Sequence, residues 1–290
     1  MMATPTTGTE SAPRGRLVAS PAAWLVWGSV VIFMVFLVGI VGSVMVNSFG
    51  TRWFGTWLPQ GVTSQWYSQA WTDFDLFHVI IVTLEVAVAV VVLSVLIGVP
   101  ASYVLARKSF PGKRVAYLAF LLPIMMPPIT YGIPLATVLY KFHLAGNLSG
   151  VILANLVPCV PFVILTMTPF IEQIDPAIER AARMSGARTF SIFTRILAPL
   201  LIPGILASSI LVLVRTVGMF ELTFLTAGPD SNTLVVALFN SMYAAGIRAQ
   251  QSVDAMAVIY MSVMMVLLVV ALRFVNPTQL VAQVKEEPEP

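Results

Sequence analysis

Residues 178–203 read IERAARMSGARTFSIFTRILAPLLIP, setting four arginines and one glutamate between two long apolar segments of a chain that is otherwise nearly free of charge. Asp175 followed by Pro176 makes a good helix start. The aspartate accepts from the first free amides, and a proline at the first helical position gives up no intrahelical bond. Glu179 in the opening turns suits the positive end of the helix dipole. The spacing predicts a short helix to about Ser185, closed by Gly186 in the left-handed conformation. Residues 189–197 read as a second short helix, stopped by Pro199. By chemistry alone, this helix, glycine turn and helix fit an amphipathic loop drawn to anionic lipid as well as they fit a docking element.

The flanks decide the setting. The chain is 58% hydrophobic and only 10% charged over 290 residues, with a mean hydropathy of +0.90, which is more apolar surface than one soluble core can bury. Apolar runs near 22–46, 77–102, 115–139, 150–171, 203–226 and 252–275 are each about twenty residues or longer, the length that crosses a bilayer. The expected fold is therefore an all-α membrane protein of six transmembrane helices. Run 22–46 is too long for a cleaved signal and lacks a clear cleavage site, so it reads as a retained span.

Six spans put both termini on one side. Twelve of the sixteen basic residues fall there: Arg14, Arg16, Arg107, Lys108, Lys113, Arg114, Arg180, Arg183, Arg188, Arg195, Arg273 and Lys285. Arg52, Lys141 and Arg248 fall opposite, and Arg215 lies within a span. The positive-inside rule then predicts cytoplasmic termini and a cytoplasmic 178–203 segment. The isoelectric point of 9.2 records this topology and calls for no nucleic-acid partner. The expected organisation is a cytoplasmic tail over 1–20, a membrane domain over 21–276 with the basic segment at 175–199, and a second cytoplasmic tail over 277–290.

The loop between the first two spans carries Trp53, Trp57, Trp66 and Trp71, and reads as an amphipathic lid along the outer interface or as a surface for a partner. Pro123, Pro127, Pro128 and Pro134 are expected to break the third span, and Pro158 and Pro161 the fourth, which puts both in the bundle interior. Glu85, Arg215 and Glu221 sit inside predicted spans, Arg215 near the middle of the bilayer. An intramembrane charge faces protein or a watery path, so these three are candidates for a translocation path, with structural pairing as the alternative. Cys159, the single cysteine, excludes internal disulfides and cysteine-cluster metal sites. His78 and His143 stand apart at helix ends. No G-x-x-x-x-G-K-[ST] run and no nucleophile with a base and an orienter occurs, so no nucleotide site, cofactor or catalytic residue is expected in this chain.

The basic segment resembles the signature of permease subunits of binding-protein-dependent ABC importers: E-A-A, three residues, G, nine residues, I-x-L-P. Ala181, Ala182, Gly186, Ile196 and Pro199 match at that spacing; Arg180 stands where glutamate is usual, with Glu179 one residue earlier, and Ala198 where leucine is usual. The likeness runs through TRWFGTW and SQWYSQAW, GVPASYVLARKSFPGKR, LLPIMMPPITYGIPL and FELTFLTAGPDSNTLVVALFNSMYAAGI, and is similar to the spermidine/putrescine-type permeases. The resemblance implies a type I importer permease fold, with coupling helices that dock on a cytoplasmic ATPase dimer holding ATP and Mg. It further implies a second, different permease chain and an extracytoplasmic substrate-binding protein. Glu179, Arg180, Ala181, Ala182, Arg183, Gly186, Ile196 and Pro199 would form the coupling segment. The implied solute is a polyamine, with ferric ion or an aminophosphonate as alternatives. An ion-coupled secondary transporter built around Glu85, Arg215 and Glu221 is the reading of another class.

Overall fold

The structure, a computed structural model, describes residues 21–53, 58–243 and 249–273. The tails 1–20 and 277–290, with Trp57 and Arg248, lie outside the described residues. Regular structure among the described residues is helical apart from one isolated antiparallel bridge, Gly50 to Val62. The chain divides into two units after Val44. The first holds most of α1 (Pro21–Phe49), an apolar helix long enough to cross a bilayer.

The second unit begins with α2 (Gln65–Asp73) and α3 (Leu76–Arg107). β-branched residues dominate α3, yet it is helical, because in hydrocarbon each amide must be satisfied within its own segment. It packs along α6 (Leu148–Glu172), and Gly98 is what lets the two backbones approach: a Cβ there would stand 2.7 Å from Val163 Cγ1. α9 (Ala198–Val217) completes this core, in which Val90, Tyr103, Cys159, Met167, Leu197 and Val212 are buried together. A second cluster joins α2 and the start of α3 to α11 (Leu234–Tyr243) and α12 (Gln250–Arg273). Here the Trp66 indole donates to the Gly50 carbonyl at 2.7 Å and the Tyr67 and Ser48 hydroxyls pair at 2.8 Å, so α2 is packed onto protein, while Trp53 and Trp71 remain exposed.

Among the described residues, five helices are long and apolar enough to cross a membrane, and a bent pair makes a sixth if it counts as one span. That pair is α4 (Lys113–Met125) and α5 (Pro128–Lys141), which meet at 101°. Pro127 and Pro128 make the break by holding the residue before each of them extended: Met126 has ψ 142° and Pro127 ψ 132°. Pro123 and Pro134 stay inside their helices.

Three expectations need correction. The fourth span is not broken: α6 runs unbroken through Pro158, Pro161 and Pro169, with Pro158 and Pro161 buried at its packed face. Pro199 does not stop the second helix of the basic segment. α8 (Thr189–Ile192) passes through a π turn, Phe193–Leu197, directly into α9. The amide of Ala198 donates to Phe193, five residues back, and this wider turn takes up the register break that a proline imposes. The run 203–226, read as one span, ends at Val217; α10 (Glu221–Thr226) and a 3₁₀ turn at Pro229–Ser231 follow as separate short pieces.

Candidate functional site

The basic segment forms a knob beside the C-terminal ends of α3 and α6. α7 (Pro176–Met184) starts on Asp175, whose carboxylate accepts from the Ala177 amide at 2.8 Å. Gly186, at φ 81°, ends it. The Ala187 amide reaches the Ala182 carbonyl at 3.1 Å and the Gly186 amide reaches Arg183 at 2.9 Å, the two bonds of a Schellman closure. Nothing lies within 4 Å of the place a Gly186 Cβ would take, so the backbone alone demands glycine here.

The knob has an inner and an outer face. Inward, Ile192 and Leu197 are buried, and Ala182 and Ile196 pack on the α3, α6 and α9 core. Outward stand Arg180, Ala181, Arg183, Gly186, Arg188 and Pro199, with Met184 89% and Phe190 78% exposed. Glu179, the segment's one glutamate, faces inward and is 6% exposed. Its Oε1 is 2.8 Å from Arg107 Nε, and its Oε2 accepts from the Tyr103 hydroxyl at 2.8 Å. Arg183 lies farther off, at 3.9 Å. The Arg107 guanidinium also donates to the Ile174 carbonyl. Tyr103 meets the second arm of the knob as well, its ring edge-on to Phe193 with centroids 5.5 Å apart. Sequence reasoning counted Arg107 only as a topological charge and passed over Tyr103. Their sole signal was a position at the basic end of the neighbouring span.

The intramembrane charges do not form one site. Arg215 occupies the last turn of α9, not the middle of a span, and Glu221 opens α10. Each therefore sits at the helix end whose dipole favours its sign. The Arg215 guanidinium lies 5.7 Å from the centre of the Phe162 ring, and Arg215 and Glu221 both lie within electrostatic range of Tyr131. A buried seam adjoins them, where Asn155 donates to Thr223 Oγ1 at 3.2 Å. Glu85 is exposed and lines a separate open groove of about 730 Å³ with Leu84, Val88, Val92, Leu148 and Ile152. His78 Nε2 lies 3.2 Å from the Asp230 carbonyl oxygen. No group of three or more His, Cys, Asp or Glu side chains able to hold a metal occurs among the described residues.

Comparison with known proteins supplies a frame for this geometry. The family described as "Binding-protein-dependent transport system inner membrane component" matches over residues 98–280. The trehalose transport system permease protein SugB of Mycobacterium tuberculosis is 32% identical over 188 residues, spanning 64% of this chain and 68% of its own. The spermidine/putrescine transport system permease protein PotC of Escherichia coli is 28% identical over 242 residues, 83% of this chain and 87% of its own. Among solved structures, a chain of a bacterial ABC transporter involved in the import of the acidic polysaccharide alginate superposes with a TM-score of 0.71 at 19% identity, over 95% of this chain and 100% of that one.

Proposed function

The chain belongs to the family of inner membrane components of binding-protein-dependent transport systems, and from that premise we propose that its knob is the coupling element through which a cytoplasmic ATPase drives solute import. As a multi-pass permease subunit of an ABC importer it is a transport protein, not a catalyst. The observation that carries the proposal is the outward face of residues 175–190: three exposed arginines against one exposed acid, the capping Asp175, with the apolar side chains of Ile178, Met184 and Phe190 also exposed on a closed, capped unit. A rigid knob transmits a displacement that a loose loop would absorb. The ATPase groove that receives it is acidic, with an apolar recess for Met184 and Phe190.

In this reading the termini and the knob are cytoplasmic, and ATP and Mg are held by the ATPase pair. A second permease chain completes the path, and an extracytoplasmic binding protein delivers the solute at the opposite end. For the solute we favour a polyamine. Among the described residues Glu85 is the one charged group lining its groove, and PotC is similar over 83% of this chain. A sugar is the second reading, supported by the likeness to the trehalose permease and to the diacetylchitobiose uptake system permease protein NgcG of Streptomyces coelicolor.

The test is purification of the tagged chain from its native membranes, with ATP hydrolysis measured against the co-isolated binding protein and candidate solutes. Hydrolysis stimulated by the loaded binding protein and putrescine or spermidine is the expected result. Stimulation by a sugar alone overturns the polyamine, and uptake into vesicles that needs no ATP overturns the coupling role.

A further inference from the structure

Glu179 lies within the segment whose function is contact with a partner, yet its side chain is 8% exposed and faces away from that surface. Two groups of α3 converge on its two oxygens, Arg107 on one and the Tyr103 hydroxyl on the other, each at 2.8 Å. Arg107, itself only 12% exposed, reaches at the same time to the Ile174 carbonyl just ahead of α7. Tyr103 touches both arms of the knob: Glu179 in α7 through its hydroxyl and Phe193 in the π turn through its ring. The last turns of α3 therefore clasp the knob at its root, from both sides of the Gly186 turn.

We propose that Tyr103, Arg107 and Glu179 form an internal anchor that makes the knob and the end of α3 one rigid body, so that Glu179 acts in transport by positioning the knob and not by meeting the ATPase. A lone buried carboxylate would be strongly unfavourable in this place, whereas one ion-paired with a guanidinium and hydrogen-bonded by a phenol is compensated there. Displacement of the knob by an ATPase thus passes into α3, the helix that shares its length with α6 and whose far end holds the Leu234 amide on Thr83 Oγ1 at 2.8 Å.

The inference rests on the coupling reading for its consequence but not for its geometry, and two measurements on the full chain separate them. The first is hydrogen exchange of the purified chain carrying Glu179→Gln or Tyr103→Phe, the latter keeping the ring against Phe193. The expected result is faster exchange confined to α7, with α6 and α9 unchanged; unchanged α7 protection in both variants overturns the anchor whatever the protein transports. The second is solute imported per ATP hydrolysed by the complex in vesicles, normalised to the amount of complex. A fall of about tenfold, within the usual range of coupling between sites, at undiminished ATPase association supports positioning. A loss that only follows reduced abundance of the complex overturns it. The exchanged pair Arg107→Glu with Glu179→Arg is expected to recover part of the ratio that either change alone removes. Failure of the unaltered chain to associate with an ATPase defeats the coupling reading and leaves the exchange result to decide the anchor.

Discussion

Glu179 and Gly186 stand seven positions apart and show two ways in which one residue governs the knob. Gly186 contributes no contact; it supplies a φ of 81° in open space. Alanine there costs about 1 kcal/mol, a β-branched residue more, and asparagine, which tolerates the left-handed region, less. Gly186→Val is accordingly expected to abolish solute-stimulated ATP hydrolysis of the complex while Gly186→Asn retains most of it, and equal activity in the two would remove the turn from the mechanism. Gly186 and the Asp175 cap were legible in the sequence because both act on their own backbone within a few residues. The inward turn of Glu179 was not, since its cause is Tyr103, 76 positions away. Nor did the spacing reveal that Arg215 and Glu221 share a neighbourhood while Glu85 lines another groove.

Among the elements, the prolines mark the limit of what sequence conveys. A proline forbids one amide bond and biases the residue before it, but whether the helix breaks depends on what packs around it. Pro158 and Pro161 lie inside an unbroken α6 that is buried against α3, whereas the adjacent Pro127 and Pro128 bend α4 from α5 by 101°. Two consecutive residues, Met126 and Pro127, are held extended there, so each proline accounts for one of them. The double replacement Pro127→Ala, Pro128→Ala is expected to straighten the pair, and either single replacement to keep most of the bend. Spin labels at the exposed positions Val115 and Val138 read this as a longer separation in the double variant only; a longer separation after one replacement alone assigns the bend to that proline. The separate pieces α10 and α11 escaped notice for a related reason. Their apolar composition resembles that of a span; the break near Gly218 divides α10 from α9, and the stretch around the 3₁₀ turn at Pro229–Ser231 divides α11 from α10.

At the scale of the whole molecule, the asymmetry of basic residues was legible because it depends on counting and not on contacts. α6 makes what it implies testable. Its 25 residues span about 37 Å at 1.5 Å per residue, enough to cross a bilayer, so Ser149 at its start and Met184 beyond its end lie on opposite sides. The natural cysteine, Cys159, is buried, which leaves a low labelling background. With Met184→Cys labelled by an impermeant maleimide only from the cytoplasmic side, and Ser149→Cys only from the extracytoplasmic side, the proposed orientation holds; the reverse pattern inverts the protein. Helix–helix packing, by contrast, was illegible, since Gly98 against Val163 is a match of shapes between distant segments.

The π turn at Phe193–Leu197 makes the knob's aim a matter of phase. Each α-helical residue rotates the chain by about 100°, and a turn that bonds five residues back holds one residue more than its neighbours, so Arg188 and Phe190 point about that far from where an unbroken spiral would carry them. Side chains within the turn can be exchanged without altering this azimuth, whereas removing a single residue swings the outward face sideways. The number of residues between the glycine turn and α9 is thus a dial on which direction the knob presents its arginines.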